Sequence, residues 1–251
     1  MKRENLLIVG YGRFGRFIAG IVRTDFHVSV LESRKTVRPA AGLKRVTQLE
    51  IGNYPIVILA MPLHRLEAFL RREGRRFMPG AFVVDVSALK EAPMRWMKRY
   101  LPSSVSYAGL HPLFGPDSAR EGLSRLTVAV CRGRSSNACH RRLVGTLKKY
   151  ALKPVETNAV THDKIITSTL FLTQWVGHLL GPHLPVHRPL IENPTAMYLR
   201  TIARRAAADP EHILKDLYRF NPYSRRMLGR LMKTARGLNA TLAAAGYSRR
   251  D

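Results

Sequence analysis

Residues 6–23, LLIVGYGRFGRFIAGIVR, decide the fold of this chain. A short apolar strand ending at Val9 runs directly into the pattern GYGRFG and then into a helical run. Gly10 permits a tight turn, Gly12 lets the backbone approach a pyrophosphate, and Gly15 lets the helix and the strand pack closely. The start of the helix presents N–H groups and the positive end of its dipole to the same phosphates. A lone glycine pattern is weak, but at the first strand–helix turn it predicts a dinucleotide-binding site.

Short β-branched runs alternate with helical stretches along the first part of the chain. They are LLIVG (6–10), HVSVLE (27–32), IVILAMP (56–62), AFVVDVS (81–87), VSYAGL (105–110), LTVAVC (126–131) and LKPVET (152–157). Such runs, separated by helices, are typical of a mostly parallel sheet buried on both faces. After Val160 long helical patterns take over. The sequence therefore predicts an α/β fold, with a Rossmann-type dinucleotide-binding domain at 1–157 and an all-helical domain at 158–251.

Three pairs of residues mark helix starts in the second part of the chain: Asn193-Pro194, Asp209-Pro210 and Asn221-Pro222. Each pair offers a capping side chain and then a proline at the first helical position, where the missing N–H costs nothing. The last helix carries apolar residues at alternating spacings of three and four, namely Leu228, Leu231, Ala235, Leu238 and Leu242. Such a stripe is typical of a core or of a subunit interface.

The chain is strongly basic, with 42 Lys and Arg against 17 Asp and Glu and a formal net charge of +25. This balance would suit a nucleic-acid-binding protein. The basic residues are spread along the chain, however, and they form no single tail, arm or aromatic-interleaved module. We therefore interpret the charge as a solvated basic surface and do not expect a nucleic-acid partner.

Length and composition also limit the number of domains and the cellular compartment. At 251 residues and 45% hydrophobic, the chain can form one large domain or two modest ones. No apolar run approaches the roughly 20 residues needed to cross a bilayer, and the opening MKRENLLIVGYG has no signal-peptide cleavage region. Cys131 and Cys139 are too few for a disulfide framework. We expect a cytoplasmic protein with no membrane partner and no metal site.

The end of the second strand run bears on the choice of cofactor. Glu32 stands 17 residues after Gly15, where an acidic side chain accepts hydrogen bonds from the adenine ribose and repels a 2′-phosphate. Ser33, Arg34 and Lys35 follow, and a 2′-phosphate would favour them. Glu32 favours NAD, with NADP left possible. The predicted cofactor contacts lie in the glycine turn, after the second run and after IVILA: Gly10, Gly12, Arg13, Phe14, Gly15, Glu32, Ser33, Arg34, Met61 and Pro62.

Several stretches together resemble the prephenate and arogenate dehydrogenase family of tyrosine biosynthesis. They are GYGRFG (10–15), AMPLHRLEAFL (60–70), VVDVSALK (83–90), GLHPLFGPDS (109–118), THDKIITSTLFLTQWVG (161–177) and ADPEHILKDLYRFNP (208–222), and they occur in family order. HPLFGP and HDK are the most specific and are most similar to the arogenate-type enzymes. The resemblance implies a Rossmann domain followed by a helical domain that forms a homodimer. No chorismate mutase or regulatory domain is expected within 251 residues.

The resemblance implies an oxidative decarboxylation. Hydride passes from the carbinol carbon of the substrate ring to the nicotinamide, the hydroxyl loses its proton, and carbon dioxide departs as the ring becomes aromatic. His111, in HPLFGP, stands at the position of the family's catalytic histidine. A neutral imidazole, with an ordinary pKa of about 6.5, suits the role of proton acceptor at neutral pH.

The chain departs from the family pattern at a serine expected three residues after Asp85. Ala88 stands there, and Ser87 lies one position early. On an extended backbone the side chain of Ser87 would point to the opposite face. Either the turn is shifted so that Ser87 still serves as a catalytic residue beside His111, or the hydroxyl is missing.

The resemblance also implies four substrate-binding residues. Arg204, five residues before Asp209, matches the family arginine that binds the side-chain carboxylate of the substrate. A guanidinium can donate two parallel hydrogen bonds to such a group. Asp117 falls where the family carries an acidic residue near the substrate ring. His162 belongs to the HD motif, and Gln174 replaces a histidine common in the family, which keeps hydrogen bonding but loses charge.

Two other functions stay open. The first is a related dehydrogenase on a prephenate analogue such as 4-amino-4-deoxyprephenate, which the displaced serine would suit. The second is a catalytically weakened nucleotide-binding or nucleic-acid-associated protein, suggested by the +25 charge and by Ala88. The presence of His111 together with Arg204 argues against the second. The sequence decides neither between prephenate and arogenate nor whether tyrosine inhibits the protein.

Overall fold

The structure is a computed structural model that describes residues 3–185, 187 and 193–245. Its strands are β1 (Glu4–Val9), β2 (Phe26–Leu31), β3 (Lys44–Arg45), β4 (Ile56–Leu59), β5 (Phe82–Asp85), β6 (Ser106–Pro112), β7 (Thr127–Arg132) and β8 (Lys153–Thr157). Its α-helices are α1 (Arg13–Val22), α2 (Leu63–Glu73), α3 (Glu91–Tyr100), α4 (Asn137–Lys149), α5 (Ala159–Ile166), α6 (Leu172–Leu180), α7 (Pro194–Ala208), α8 (His212–Phe220) and α9 (Pro222–Ala244). All seven predicted strand runs form strands. The two-residue β3 was not predicted, because it carries no apolar pattern.

All eight strands form one sheet in the order β3-β2-β1-β4-β5-β6-β7-β8. Neighbouring strands are parallel except for β6 and β7. The predicted α/β fold with a mostly parallel sheet is confirmed. The strand order reverses between β1 and β4, because the chain first builds β2 and β3 on one side and then returns to the other. At such a switch point the loops that leave the two strands separate and open a crevice at the carboxyl edge.

Apolar burial on both faces holds the sheet together. Residues 6–9 of β1 are at most 2% exposed, as expected for a central strand covered from both sides. Helix α1 packs against one face through Ile18 and Val22, which lie one turn apart on the same side of the helix. The core therefore lies directly behind the turn that joins β1 to α1.

The chain divides into two compact units, residues 1–162 and 163–251, and the division falls inside α5. The predicted domain boundary was at 157/158. In the described part of the second unit all regular structure is helical, and a π-helical stretch (Thr167–Phe171) joins α5 to α6. Helices α6 and α7 approach closely, since a Cβ on Gly177 would lie 2.5 Å from the Cβ of Ala206. The separate roles assigned to the two domains stay predictions.

Side-chain caps begin two of the three predicted helices. Asn193 and Asn221 each accept a hydrogen bond from a backbone N–H in the first turn of α7 and of α9. The same role predicted for Asp209 is wrong. Helix α8 begins three residues later, at His212, and Asp209 Oδ2 accepts a hydrogen bond from Gln174 Nε2 at 2.6 Å instead. None of the described helices is both long and apolar enough to cross a membrane.

Two glycines in close contact build the turn between β1 and α1. Gly10 has a φ of +96°, and a Cβ there would lie 2.6 Å from the carbonyl oxygen of Ala60. A Cβ on Gly15 would lie 2.1 Å from the carbonyl oxygen of Gly10. Neither position accepts a side chain without a shift of the backbone. A Cβ on Gly12 would meet no atom within 4 Å, so this part of the turn faces open space.

Replacing Gly15 with alanine tests this packing. Gly15→Ala should lower the free energy of unfolding by about 1–3 kcal/mol, because the new methyl group overlaps backbone atoms rather than a movable side chain. Gly20→Ala in the same helix is the matched control, since a Cβ there meets no atom within 4 Å. In an exposed helix, alanine stabilises by about 0.5–1 kcal/mol relative to glycine. Urea unfolding measures both variants, and equal stabilities would contradict the contact between Gly15 and Gly10.

Candidate active site

Most residues predicted for the site in the first unit gather at the carboxyl edge of the sheet. Strands β1, β2, β4, β5 and β6 run parallel, so their carboxyl ends lie along one edge. The glycine turn follows β1, Glu32 follows β2, and Met61 and Pro62 follow β4. His111 is the last residue but one of β6. Ligands of open α/β sheets bind at this edge, beside the switch point.

The first turn of α1 is suited to an anion. Gly12 occupies the N-cap without a side-chain cap, and no acidic residue lies in the first turn. The N–H groups that lack an intrahelical partner, and the positive end of the helix dipole, therefore face the glycine turn. Arg13 opens the helix with 55% of its side chain exposed. Phe14 packs against the core, with its ring centroid 5.9 Å from that of Phe17.

Glu32 is held in place at the end of β2. Its Oε2 accepts a hydrogen bond from the backbone N–H of Tyr11 at 3.0 Å. Arg34 donates from Nε to Oε1 at 3.0 Å and from Nη2 to Oε2 at 2.9 Å. These side-chain bonds, followed by the backbone N–H groups of Arg34 and Tyr11, lower the pKa of Glu32 to about 2 although burial opposes the shift. The carboxylate is therefore ionised at neutral pH, and the adjoining Ser33 is exposed.

Arg45 organises the loop after β2, and sequence analysis missed it. Its guanidinium donates to the carbonyl oxygens of Glu32 at 2.6 Å, Arg34 at 3.0 Å and Val37 at 3.0 Å. One side chain thus fixes the backbone of the segment that carries Glu32 and Arg34. No sequence signal marks Arg45, since it is one of 42 basic residues and only the short β3 brings it to the loop.

Met61 and Pro62 border the glycine turn from the side of β4. The Cα of Met61 lies 3.0 Å from the point that a Cβ on Gly10 would occupy. Pro62 is the N-cap of α2, and both residues are partly exposed. Met61 therefore lies beside the glycine turn with Pro62 next to it, and the contact of both residues with a cofactor stays a prediction.

His111 lies inside β6, next to the carboxyl end of the strand. Its backbone pairs with Ala129 of β7, and the residue is 8% exposed. Its Nδ1 lies 3.0 Å from Nε2 of His162. Burial first, and then the charges of His162 and Lys90, hold the pKa of His111 well below its ordinary value of 6.5. A neutral imidazole on a strand is a base with a fixed direction.

A buried ion pair lies at the ends of β5 and β6, and sequence analysis did not identify it. Lys90 and Asp85 are both 0% exposed. The ammonium of Lys90 donates to Oδ2 of Asp85 and to the carbonyl oxygen of Leu110 at 2.7 Å. Charged side chains are almost never fully buried unless they are paired. The pair ties the end of β5 to the residue that precedes His111. A carboxylate ending an apolar run, with a lysine five residues on, was the available signal.

The hydrogen bonds of Ser87 stay within its own turn. Its hydroxyl lies 3.0 Å from Oδ2 of Asp85 and 3.1 Å from the carbonyl oxygen of Leu89, and it can donate to one of them at a time. Its backbone N–H donates to Oδ1 of Asp85 at 3.1 Å. Ala88, at the position of the family serine, has no hydroxyl. These contacts stabilise the turn, and a catalytic role for Ser87 beside His111 stays a prediction.

The structure brings together two residues that were predicted for different ligands. Arg13 of the glycine turn forms an ion pair with Asp117, which also accepts a hydrogen bond from Arg120 at 3.0 Å. Arg13 and then Arg120 lower the pKa of Asp117. More than half of the side chains of Arg13 and Asp117 is exposed, so the pair adds little stability. It does connect the loop after His111 to the glycine turn.

In the second unit the two arginines one turn apart on α7 differ in exposure. Arg204 is exposed, whereas Arg200 is 7% exposed. Arg204 is therefore accessible to a ligand. Gln174 on α6 is 3% exposed, and its Nε2 is committed to Asp209. Its Oε1 has no hydrogen-bond partner within the part of the chain that the structure describes.

Residues 27–136 match the family model described as the nucleotide-binding domain of prephenate dehydrogenase. The chain is 24% identical to arogenate dehydrogenase 2, chloroplastic, of Arabidopsis thaliana, over 90% of the chain and 66% of that protein. It is 22% identical to the probable arogenate/prephenate dehydrogenase of Methanocaldococcus jannaschii, over 88% of the chain and 53% of that protein. The chain thus spans less than two thirds of the length of either relative.

Solved structures share the fold. The prephenate dehydrogenase from A. aeolicus, in complex with hydroxyphenyl propionate and NAD+, has a TM-score of 0.75 at 16% identity, covering 98% of this chain and 92% of that one. Arogenate dehydrogenase of Synechocystis has a TM-score of 0.68 at 16% identity, covering 97% and 93%. At such identities the likeness extends to the fold alone. Together with the family model and the relatives that match along most of the sequence, it confirms the resemblance to the prephenate/arogenate dehydrogenase family.

Proposed function

We propose that the protein oxidises and decarboxylates prephenate or arogenate with NAD as the hydride acceptor, in tyrosine biosynthesis. The observation that carries the proposal is the buried His111 at the strand edge where the nucleotide-binding turn also lies. A buried imidazole with a lowered pKa is unprotonated at neutral pH and is available as a general base. The relatives, named for arogenate and prephenate, supply the substrate class.

NAD fits the nucleotide site. The open space at Gly12 and the first turn of α1 leave room for a pyrophosphate and provide N–H groups to bind it. The ionised Glu32 accepts hydrogen bonds from the adenine ribose hydroxyls and repels a 2′-phosphate. Arg34, the residue that a 2′-phosphate would need, is already paired with that carboxylate. The local charges therefore favour NAD over NADP.

The residues of the chain align the substrate and remove one proton. When bound, NAD supplies the acceptor for the hydride of the ring carbinol carbon. His111 has its Nδ1 engaged by His162, so Nε2 is the nitrogen left to take the hydroxyl proton. Carbon dioxide departs and leaves its bonding electrons in the ring, which becomes aromatic. Because aromatisation drives the reaction, alignment and a modest base are enough.

We assign the nucleotide to residues 1–157, and substrate binding and dimerisation to residues 158–251. Arg204, exposed on α7, binds the side-chain carboxylate of the substrate. Leu238 and Leu242, 60% and 63% exposed on α9, continue the apolar stripe and are suited to burial against a second copy of the chain. A cytoplasmic location stays a prediction.

The activity is tested by following the absorbance of the reduced nicotinamide with prephenate and with arogenate, each against NAD and NADP. We expect turnover with at least one substrate and a preference for NAD. If the purified protein reduces neither cofactor with either substrate, the proposed function is wrong.

Replacing the general base should abolish most of the turnover. We expect His111→Asn to lower kcat by about 100-fold or more, the scale of a lost general base. The Kd for NAD should stay within about twofold, because the proposed cofactor contacts lie elsewhere along the strand edge. Steady-state kinetics and calorimetry measure the two quantities. Near-normal turnover would remove His111 from the mechanism.

The pH profile should reflect the lowered pKa of His111. The base works unprotonated, so activity is lost only as the pH falls through its pKa in the folded protein. We expect kcat/KM to stay constant down to about pH 7 and to decline only below about pH 6.5. A decline centred above pH 7 would contradict the assignment.

The cofactor preference should depend on Glu32. Glu32→Ser removes the charge that repels a 2′-phosphate and releases Arg34 to bind it, so kcat/KM with NADP relative to NAD should rise by roughly tenfold or more. Glu50→Ser, which removes another carboxylate paired with a basic residue, is the control and should leave the ratio unchanged. If the unmodified protein already prefers NADP severalfold, Ser33 and Arg34 define the pocket and the role given to Glu32 is wrong.

Binding of the side-chain carboxylate of the substrate should depend on Arg204. Arg204→Ala should raise KM far more than it lowers kcat, because the contact is remote from the hydride and is made in the ground and transition states alike. A lost charge-assisted pair should reduce kcat/KM by roughly 10- to 100-fold. Arg205→Ala is the matched control, since Arg205 is the exposed neighbour on the same helix. Equal effects of the two substitutions would make Arg204 part of the basic surface only.

A further inference from the structure

Two histidine rings meet at the end of β6, and the proposed reaction uses only one of them. Nδ1 of His111 lies 3.0 Å from Nε2 of His162, with ring centroids 5.1 Å apart and ring planes at 69°. The two residues are 8% and 3% exposed. A hydrogen bond between two neutral imidazole nitrogens needs one proton, on one ring or the other. The contact therefore couples the tautomers of the two rings.

We propose that His162 is a positioning residue for the general base: it accepts the Nδ1 proton of His111 and so keeps Nε2 of His111 unprotonated toward the substrate hydroxyl. This inference rests on the proposed function for its catalytic consequence. It gives His162 a role different from the substrate contact that the family motif implied.

The surroundings of His111 keep its ring neutral, which the proposed arrangement requires. Two positive or protonatable groups influence it, His162 from α5 and Lys90 from the segment after β5, and each disfavours a proton on the His111 ring. The Lys90 charge is itself fixed by Asp85 and by the carbonyl oxygen of Leu110. His111 therefore starts the reaction neutral. When His111 supplies the proton of the hydrogen bond to His162, as we propose, Nε2 is left as an acceptor.

The proton balance of the step follows from this geometry. The hydroxyl proton moves to Nε2 of His111, and the ring becomes an imidazolium with a proton on each nitrogen. The Nδ1 proton still donates to Nε2 of His162, and it can pass to that nitrogen, which leaves His111 neutral again. The positive charge is thus shared between two rings beside Lys90 instead of resting on one.

Two hydrogen bonds at the start of α5 hold His162 beside His111. The side chain of Asn158 caps the start of α5 by accepting from the N–H of Thr161 at 2.8 Å. The N–H of His162 donates to the carbonyl oxygen of Asn158 at 2.9 Å, so the residue is held in the first turn of the helix. The hydroxyl of Ser87 bonds within its own turn, and Ala88 offers none. His162 is the hydrogen-bond partner that the described structure gives to the ring of His111.

The test compares two substitutions. His162→Phe keeps a buried ring but removes the acceptor, and we expect kcat to fall by roughly 10- to 100-fold, the scale found for residues that orient a functional histidine. His162→Gln restores an acceptor oxygen and should recover most of that loss. The Kd for NAD should stay within about twofold in both. His140→Gln is the control for loss of a buried histidine in the same unit, because His140 is also 8% exposed and lies on α4.

A readout without substrate separates this inference from the proposed function. Nitrogen-15 NMR of the imidazole groups, assigned by comparison with His111→Asn, reports which nitrogen of His111 carries the proton. We expect the Nδ1–H form in the unmodified protein and a mixture of tautomers in His162→Phe. If neither substrate is turned over, the proposed function fails while the NMR result still decides the role of His162.

Three results would overturn the inference. One is an Nε2–H tautomer of His111 in the unmodified protein. The second is an unchanged kcat in His162→Phe. The third is a fall in kcat that His162→Gln does not relieve and that is matched by an equal loss of NAD affinity, since that pattern belongs to a general structural defect.

Discussion

The contact between Gly15 and the carbonyl of Gly10 sets the positions of the groups at the carboxyl edge. It lets the start of α1 approach the end of β1, so that the N–H groups of the helix face the turn. The same turn directs the N–H of Tyr11 to Glu32 at the end of β2. On the other side Gly10 lies against Ala60 at the end of β4. One tight turn after β1 is thus in contact with the ends of both neighbouring strands, β2 and β4.

Much of the fold could be predicted from the sequence, because buried parallel strands and glycine turns leave local signals. The pattern of apolar runs gave seven of the eight strands, and the turn chemistry gave two helix caps. The short β3 and the role of Arg45 could not be found in this way, since an arginine that binds backbone carbonyls looks like any other basic residue. Asp209 failed as a cap for a related reason: Gln174, 35 residues away in sequence, takes its carboxylate. The contact with Gln174 thus overrode the preference of Asp209 for capping a helix.

At the candidate site, too, the sequence identified a residue but not the long-range contacts around it. His111 was identified from its motif, but its surroundings depend on contacts across 20 and 51 residues of sequence, to Lys90 through Leu110 and to His162. Burial first, and then the charges of His162 and Lys90, lower the pKa of the His111 imidazole. A reaction that ends in an aromatic ring can tolerate a weaker base. What it requires is a base that is unprotonated and correctly aimed, and a buried strand position supplies both.

The +25 net charge does not by itself decide the cofactor preference of the proposed nucleotide site, because three arginines around that site are already engaged. Arg34 is paired with Glu32, Arg45 is bound to backbone carbonyls, and Arg13 is paired with Asp117. Charges farther away are screened within about 8 Å at physiological salt, whereas a carboxylate in contact with the ligand is not. The repulsion between Glu32 and a 2′-phosphate therefore outweighs the screened attraction of the more distant basic residues. In the proposed function, the short-range pairing between Glu32 and Arg34 sets the selectivity between NAD and NADP, and the excess of positive charge acts on the rest of the surface.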